Sequence, residues 1–163
     1  MTSDKKKAKK NKISLGWREW VSLPKLGIHK IKAKVDTGAR TSALHAKDLE
    51  FFSTHGKKMI HFHVYPKQES HEGRVFCKAE LVDQRHVKSS LGHGSHRPVV
   101  RTQLKIGKKV RPIELTLVNR ELMGFRMLIG REAIRGDYVI DPSRSFLVGQ
   151  KPKKRKNKGG KKS

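Results

Sequence analysis

The sequence predicts an all-β domain, either a barrel or a sandwich of short strands. Three observations lead to this class. Apolar and polar residues alternate over several short runs, as expected for strands with one buried face. Gly, Pro, Asp and Ser cluster between these runs and mark turns. The chain shows no internal repeat, and its 163 residues suffice for one domain with a modest core.

The first runs lead up to an acidic turn. Residues 16–21 contain both tryptophans and predict a strand, which a turn containing a proline and a glycine separates from the next one. Residues 31–35 alternate and predict a second strand, which ends directly before Asp36. Residues 42–49 predict a short helix or turn.

Alternating runs continue towards the carboxyl end of the chain. Residues 59–65 place three apolar side chains on one face and His61 and His63 on the other. A helical turn is expected over 132–135. Further strands are predicted over 75–82, 99–106 and 113–118 and in the two arms of a hairpin spanning 138–148.

Charge divides the chain into a body and two tails. The formal net charge is +25, of which residues 1–12 carry +5 and residues 150–163 carry +8, which leaves +12 on the body. Both tails are almost free of apolar residues, so we expect them to be disordered and the domain to span 13–149. The tails are either solvated extensions or electrostatic contacts for nucleic acid or the ribosome.

Composition also bears on the compartment. No apolar stretch is long enough to span a membrane, and no apolar signal core follows the basic amino terminus. Cys77 is the single cysteine, so an internal disulfide is impossible, and its place on the apolar face of a strand predicts a buried structural thiol. The sequence therefore predicts a soluble cytoplasmic protein without a membrane partner.

The tetrapeptide from Asp36 to Ala39 is the most informative feature of the chain. It places a carboxylate, a small hydroxyl and a flexible residue directly after a predicted strand. An aspartic peptidase presents its catalytic carboxylate in this way. Asp-Thr-Gly is also ordinary turn chemistry after a strand, so the tetrapeptide alone leaves both interpretations open.

A second motif lies about ninety residues further on, where the apolar pair Leu128 and Ile129 precedes Gly130 and Arg131. The order and spacing of the two motifs resemble those of a retropepsin. The similarity extends over residues 41–46, 97–102, 113–117 and 119–120. Across roughly residues 13–149 the chain resembles the bacterial retropepsin-like family that carries the label "ATP-dependent zinc protease".

The resemblance implies an acid-protease barrel and assigns roles to individual residues. Asp36, Thr37 and Gly38 would form the catalytic loop. A mobile flap would close over the substrate. The substrate-binding residues would be Ala39, Arg40, Ser89, Ser90, Gly92 and His93. The supporting loop would consist of Leu128, Ile129, Gly130, Arg131 and Glu132.

Aspartic peptidases need two carboxylates that share one proton, because two like charges at such short range cannot both ionise. The chain has one Asp-Thr-Gly, so the resemblance implies a homodimer with one Asp36 from each copy. Retropepsins of retroviruses usually carry Asp where this chain has Arg40. Arg131 would therefore face a like charge, and Glu132 is expected to pair with Arg40.

No cofactor is predicted. The sequence contains neither an H-E-x-x-H motif nor a phosphate-binding G-x-x-x-x-G-K-[ST] loop. The terms "zinc" and "ATP-dependent" in the family label therefore have no supporting motif in this chain. His61 and His63 share a strand face and could form half of a metal site, but no third ligand is evident. We therefore predict no metal site.

The expected partner is a peptide substrate of acidic character. The positive body and Arg40 beside the expected cleft favour acidic peptides. The resemblance links such proteins to a ligase that adds glutamates to a ribosomal protein, which implies a glutamate-rich segment as substrate. The alternatives are a non-catalytic basic β-domain that docks on RNA or the ribosome, and a zinc-dependent hydrolase.

Overall fold

Eleven β-strands form within residues 11–67, 73–88, 94–119 and 124–149, which are the parts of the chain that a computed structural model describes (side chains of 85–88 and 94–96 excepted). Two short 3-10 turns cover Pro24–Leu26 and Arg131–Ala133. The strands are β1 Ile13–Gly16, β2 Arg18–Leu23, β3 Ile28–Asp36, β4 Ser42–His45, β5 Lys47–Thr54, β6 Lys57–Val64, β7 Val75–Lys88, β8 Gly94–Ile106, β9 Lys109–Val118, β10 Met127–Gly130 and β11 Tyr138–Asp141.

Six strands close into a barrel. They follow the order β2-β3-β10-β4-β9-β8, and Ser22 of β2 pairs with Lys105 of β8 to complete the ring. Most neighbours are antiparallel, but β3 with β10 and β4 with β9 are parallel. The strands β7, β6 and β5 continue the sheet outward from β8. The predicted all-β barrel class is confirmed.

The core fills the barrel and the space under the outer strands. Alternate residues of β3 and β6 point inward, and Ile31, Phe62 and Leu115 are among the fully buried side chains. On β6 the predicted faces are confirmed, since the apolar face is buried and His61 and His63 are only partly covered. No helix in the described part of the chain has the length and hydropathy that crossing a membrane requires.

The thiol of Cys77 lies on the inner face of β7 and is 1% exposed. Its Sγ is 3.4 Å from the carbonyl oxygen of Leu26. Burial raises the pKa of the thiol to about 12, because a thiolate is poorly solvated there. The expectation of a buried structural thiol is confirmed.

Two local predictions were wrong. Residues 42–49 form β4 and the start of β5, not a helix or turn, because β4 inserts between β10 and β9 and buries Leu44 there. Residues 138–148 do not form a hairpin, because Tyr138–Asp141 pairs in parallel with Ile13–Gly16 at the other end of the chain.

The second arm of the predicted hairpin does not pair with a strand. The backbone N–H groups of residues 147–149 donate hydrogen bonds to the carboxylate of Glu19 instead. Glu19 is fully buried on β2, and its Oε2 accepts hydrogen bonds from Gly16 (2.6 Å) and Leu147 (2.8 Å). Its Oε1 accepts from Val148 (3.0 Å) and Gly149 (2.8 Å). Four charge-assisted hydrogen bonds thus compensate the buried charge and hold the carboxyl-terminal segment on the barrel.

The substitution Glu19→Gln should lower the free energy of unfolding by about 2 to 4 kcal/mol, because an amide NH₂ then faces backbone donors and the charge that strengthens the bonds is lost. Chemical denaturation measures this loss. Glu50→Gln is the matched control, since Glu50 is exposed and its ion pair with His61 is peripheral. A Glu19 variant as stable as the control would show that these bonds do not stabilise the fold.

Candidate active site

Asp36 ends β3 at the point where β10 ends as well. The two strands are parallel, and Asp36 lies opposite Gly130 in their register. The predicted adjacency of the two loops is thus confirmed. A parallel pair brings both carboxyl ends to one edge of the sheet, so the sequence motifs that follow the strands meet there.

The loop after β3 orients the Asp36 carboxylate from its own backbone. The N–H of Gly38 donates to Asp36 Oδ1 at 3.1 Å, and the N–H of Ala39 donates to the Asp36 carbonyl at 3.1 Å. Asp36 is partly exposed, and Thr37 and Gly38 are exposed. The carboxylate is therefore held on one side and open to a ligand on the other.

Residues 130–132 hold this loop from behind. The N–H of Arg131 donates to the carbonyl of Ala39 at 2.8 Å, and the N–H of Glu132 donates to the carbonyl of Arg40 at 3.2 Å. The Arg131 guanidinium adds a hydrogen bond to the carbonyl of Gly38 at 3.2 Å. Ile129 is buried and Leu128 half-buried, which anchors the loop in the core.

Gly130 allows the two backbones to approach closely. A Cβ atom there would lie 2.6 Å from the carbonyl carbon of Thr41, so only glycine fits without displacing the loop. The buried hydroxyl of Ser42 accepts a hydrogen bond from the Gly130 N–H at 3.0 Å. No role was predicted for Ser42; a hydroxyl residue a few positions after the Asp-Thr-Gly turn was the available signal.

The expected ion pair between Arg40 and Glu132 is not formed. Glu132 Oε1 instead lies 3.6 Å from Nη1 of Arg135. Glu132 contacts Arg40 only through the hydrogen bond between its backbone N–H and the Arg40 carbonyl. Arg40 is exposed and lines a cavity of about 340 Å³ together with Glu114 and Glu132. Arg131 avoids the like charge of Arg40 because its guanidinium points at the loop carbonyls.

The Thr37 hydroxyl forms no hydrogen bond within the described part of the chain. A hydroxyl at this position of an Asp-Thr-Gly turn could hold the loop, but the Arg131 guanidinium and the backbone amides do so instead. Thr37 is exposed at the tip of the loop beside Asp36. Its hydroxyl is therefore presented to whatever lies in front of the loop.

The proposed flap falls on the connection between β7 and β8. Those strands pair as far as Lys88 and Gly94. The flap residues Ser89, Ser90, Gly92 and His93 lie outside the described residues. Their expected role in substrate binding stays a prediction.

The two histidines of β6 make separate contacts with carboxylates. His63 Nδ1 lies 3.0 Å from Asp48 Oδ2, and His61 Nε2 lies 3.5 Å from Glu50 Oε2. Across the described ranges, no three His, Cys, Asp or Glu side chains come close enough to share a metal ion. These residues therefore do not fit the zinc site that the family label suggests.

Comparison with known proteins identifies relatives over the same region. The family model described as retropepsin-like aspartic endopeptidase RimB matches residues 14–151. A protein of Shewanella pealeana named "Probable alpha-L-glutamate ligase" is 42% identical over 141 residues, which are 86% of this chain and 31% of that relative. A protein of the same name from Desulfotalea psychrophila is 45% identical over 136 residues, 83% of this chain and 29% of the relative.

The chain thus spans about three tenths of the length of these curated relatives. Among solved structures, a Legionella pneumophila protein described as of unknown function superposes with a TM-score of 0.70 and 28% identity. The match covers 85% of this chain and 99% of that one. A barrel of the kind described above therefore also exists as an experimentally determined structure.

The substitution Ser42→Ala should destabilise the domain by about 1 to 3 kcal/mol, because it leaves the buried N–H of Gly130 without an acceptor. Thermal and chemical denaturation measure the effect. Ser53→Ala is the control, since Ser53 is exposed on β5 and a surface change of this kind costs about 0.5 kcal/mol or less. Equal stability of the two variants would mean that the hydroxyl does not support the loop.

Proposed function

The chain belongs to the RimB-like family of retropepsin-like aspartic endopeptidases, and on this premise we propose that it hydrolyses peptide bonds with Asp36 as its catalytic carboxylate. The observation that carries the proposal is that hydrogen bonds fix the Asp36 carboxylate while one side of it stays open to a ligand. The Gly38 N–H fixes one oxygen, while residues 130–132 fix the loop. Acid–base catalysis needs a carboxylate that its neighbours hold rigidly in this way.

The proposed reaction uses two carboxylates and one water. The ionised carboxylate takes a proton from the water, whose oxygen attacks the scissile carbonyl carbon. The protonated carboxylate donates its proton to the carbonyl oxygen, which gives a tetrahedral diol. Proton transfer to the amide nitrogen then lets the C–N bond break, and the pair returns to its singly protonated state.

We propose that the second carboxylate comes from a second copy of the chain. The other aspartates of the described residues lie elsewhere: Asp48 in β5, Asp83 in β7, Asp137 before β11 and Asp141 at its end. We therefore propose a homodimer in which the two Asp36 loops face each other across a two-fold axis. In this proposed dimer the exposed Thr37 hydroxyl would donate to the partner loop.

The proposed substrate is an acidic, glutamate-rich segment, such as the tail of a ribosomal protein. The body of the chain carries +12, and its relatives bear the name of a glutamate ligase. That name describes chains more than three times the length of the matched region, so the ligation activity need not lie in the matched part. Arg40 is proposed to contact substrate at the edge of the cavity, where Glu114 and Glu132 limit its effect.

A second candidate function is docking on RNA or the ribosome through the basic tails. The observation that favours it is their combined charge of +13 with almost no apolar residue. This function is compatible with the first, because the tails can bring the peptidase to a ribosomal substrate. Deleting both tails separates the two by removing docking and keeping cleavage of a short peptide.

The substitution Asp36→Asn should abolish peptidase activity, at least about a hundredfold, because an amide can neither accept nor donate the catalytic proton. Cleavage of a glutamate-tailed peptide followed by mass spectrometry measures this loss, with circular dichroism as the test of folding. Asp48→Asn serves as the control, because Asp48 lies on the outer strand β5. Undiminished cleavage by a folded Asp36→Asn protein would disprove the proposed mechanism.

Dilution should lower specific activity, since a monomer holds half of the carboxylate pair. Sedimentation velocity should show dissociation in the same concentration range. A second test mixes wild-type protein with the inactive Asp36→Asn chain, and mixed dimers should then reduce the activity of the wild type. Full activity from a demonstrated monomer would require another partner for Asp36 within one chain.

A further inference from the structure

Strands β6 and β7 separate after Glu80. Their ladder ends at the pair of Met59 and Glu80. A β-bulge follows on β7, where the register with β8 shifts between Leu81 and Asp83, and a bulge bends the strand that contains it. Beyond Glu80 one side of β7 pairs with β8, and within the described ranges no strand pairs with its other side. We call this unpaired side of residues 81–84 the open edge.

A cavity of about 660 Å³ lies between the open edge and the end of the β5–β6 hairpin. It is lined by residues 51–53 of β5, 58–59 of β6 and 81–84 of β7. Its volume falls within the range of about 300 to 1,000 Å³ that is usual for ligand pockets. None of its lining residues belongs to the Asp36 loop or to residues 130–132, so the cavity is separate from the candidate active site.

The strand β7 borders this cavity with its backbone. Successive side chains of a strand point to opposite faces, so four consecutive lining residues indicate an edge and not a face. Gln84 lies opposite Pro98 of β8, which has no N–H, and the Gln84 N–H donates to Asp83 Oδ1 at 2.8 Å. This pair therefore shares no backbone hydrogen bond, and the N–H and C=O of Gln84 point away from β8 towards the open side.

Apolar side chains that solvent reaches make up much of the remaining wall. Five of them line the cavity and are exposed or only half-buried: Phe51, Phe52, Met59, Leu81 and Val82. Phe51 is 54% exposed. Partly uncovered apolar side chains around one cavity are typical of a binding site. Lys58 and Asp83 add one formal charge of each sign, so the cavity does not favour a strongly charged ligand.

These features select the class of occupant. The backbone of an open edge is completed by an added strand, which an extended polypeptide supplies and a nucleic acid or a lipid does not. The basic tails of this chain carry almost no apolar residue and do not match the apolar wall. The hairpin end stands across the cavity from the edge, so a lone strand enters more readily than the edge of a second folded sheet.

We propose that residues 81–84 bind an extended, uncharged segment of another protein as an additional strand, with a large apolar side chain of that segment against Phe51 and Met59. The inference does not rest on the peptidase function. It gives the protein a second binding site for polypeptide, apart from Asp36 and with a preference for apolar instead of acidic segments.

The binding test uses capped, fluorescein-labelled heptapeptides of alternating Thr and Val with Phe, Leu or Glu at the centre. They are titrated with the full-length Asp36→Asn protein, which keeps the probes intact, and anisotropy reports the Kd. The Phe peptide should bind most tightly, and the Glu peptide should bind at least about fivefold more weakly. Absence of binding by both the Phe and the Leu peptide at about 1 mM would overturn the inference.

Strand addition is tested with two N-methylated versions of the Phe peptide, one methylated at its even-numbered and one at its odd-numbered residues. Only alternate amides of an added strand face the neighbouring strand. One version should therefore lose affinity by roughly tenfold or more, and the other should stay within about threefold of the parent peptide. Equal Kd values for the two versions would rule out binding as a strand.

The substitution Gln84→Pro removes an N–H from the open edge and leaves the hydrogen bonds to β8 in place. It should raise the Kd of the Phe peptide at least about fivefold. Gln84→Ala is the matched control, since it keeps the N–H and should leave the Kd within about twofold. Equal Kd values for the two folded variants would contradict the inference. If circular dichroism shows the proline variant unfolded, the N-methylated peptides decide.

The apolar wall is tested with two phenylalanines of similar exposure. Phe51 and Phe76 are 54% and 51% exposed, but Phe76 does not line the cavity. Phe51→Ala should raise the Kd of the Phe peptide roughly fivefold, and Phe76→Ala should leave it within about twofold. Equal losses would mean that the peptide binds elsewhere.

Self-association is the remaining alternative for the open edge. Gln84→Pro should leave the sedimentation coefficient of the protein unchanged, because the proposed occupant is another protein. Loss of an oligomer in this variant, with Gln84→Ala unaffected, would assign the edge to a second copy of the chain and overturn the proposed partner.

Discussion

The candidate site depends on one close approach between two backbones. Gly130 at the end of β10 meets the chain around Thr41 at a distance that leaves no room for a side chain. That contact lets the amides of residues 131 and 132 reach the carbonyls of the loop after β3. The direction of the Asp36 carboxylate follows from the loop, so a single steric constraint sets the geometry of the charged group.

Sequence patterns predicted the parts of the structure whose causes are local. The alternation in β3 and β6 and the Asp-Thr-Gly turn depend on neighbouring residues, and the structure has them where the patterns indicate. The loop from Leu128 to Glu132 was found through resemblance, because its role lies in a contact with residues ninety positions earlier in the chain.

The sequence failed where distant partners decide the conformation. Residues 42–45 form a strand because β10 and β9 offer hydrogen bonds on both sides, which local preference cannot reveal. The apolar stretch 146–148 resembles a strand in sequence, but Leu147 and Val148 donate their backbone N–H groups to Glu19. In the sequence, Glu19 looks like any polar residue of a half-exposed strand. No neighbouring residue indicates that it is buried and accepts backbone hydrogen bonds.

The contacts of Glu19 also have a consequence for the order in which the chain acquires its structure. The carboxylate sits on β2 near the start of the chain, and three of its four donors lie 128 to 130 residues later. Until residues 147–149 are available to pack, this charge cannot be buried with all its hydrogen bonds satisfied. Closure of the barrel around β2 therefore depends on a contact of long sequence separation and has to wait for residues 147–149.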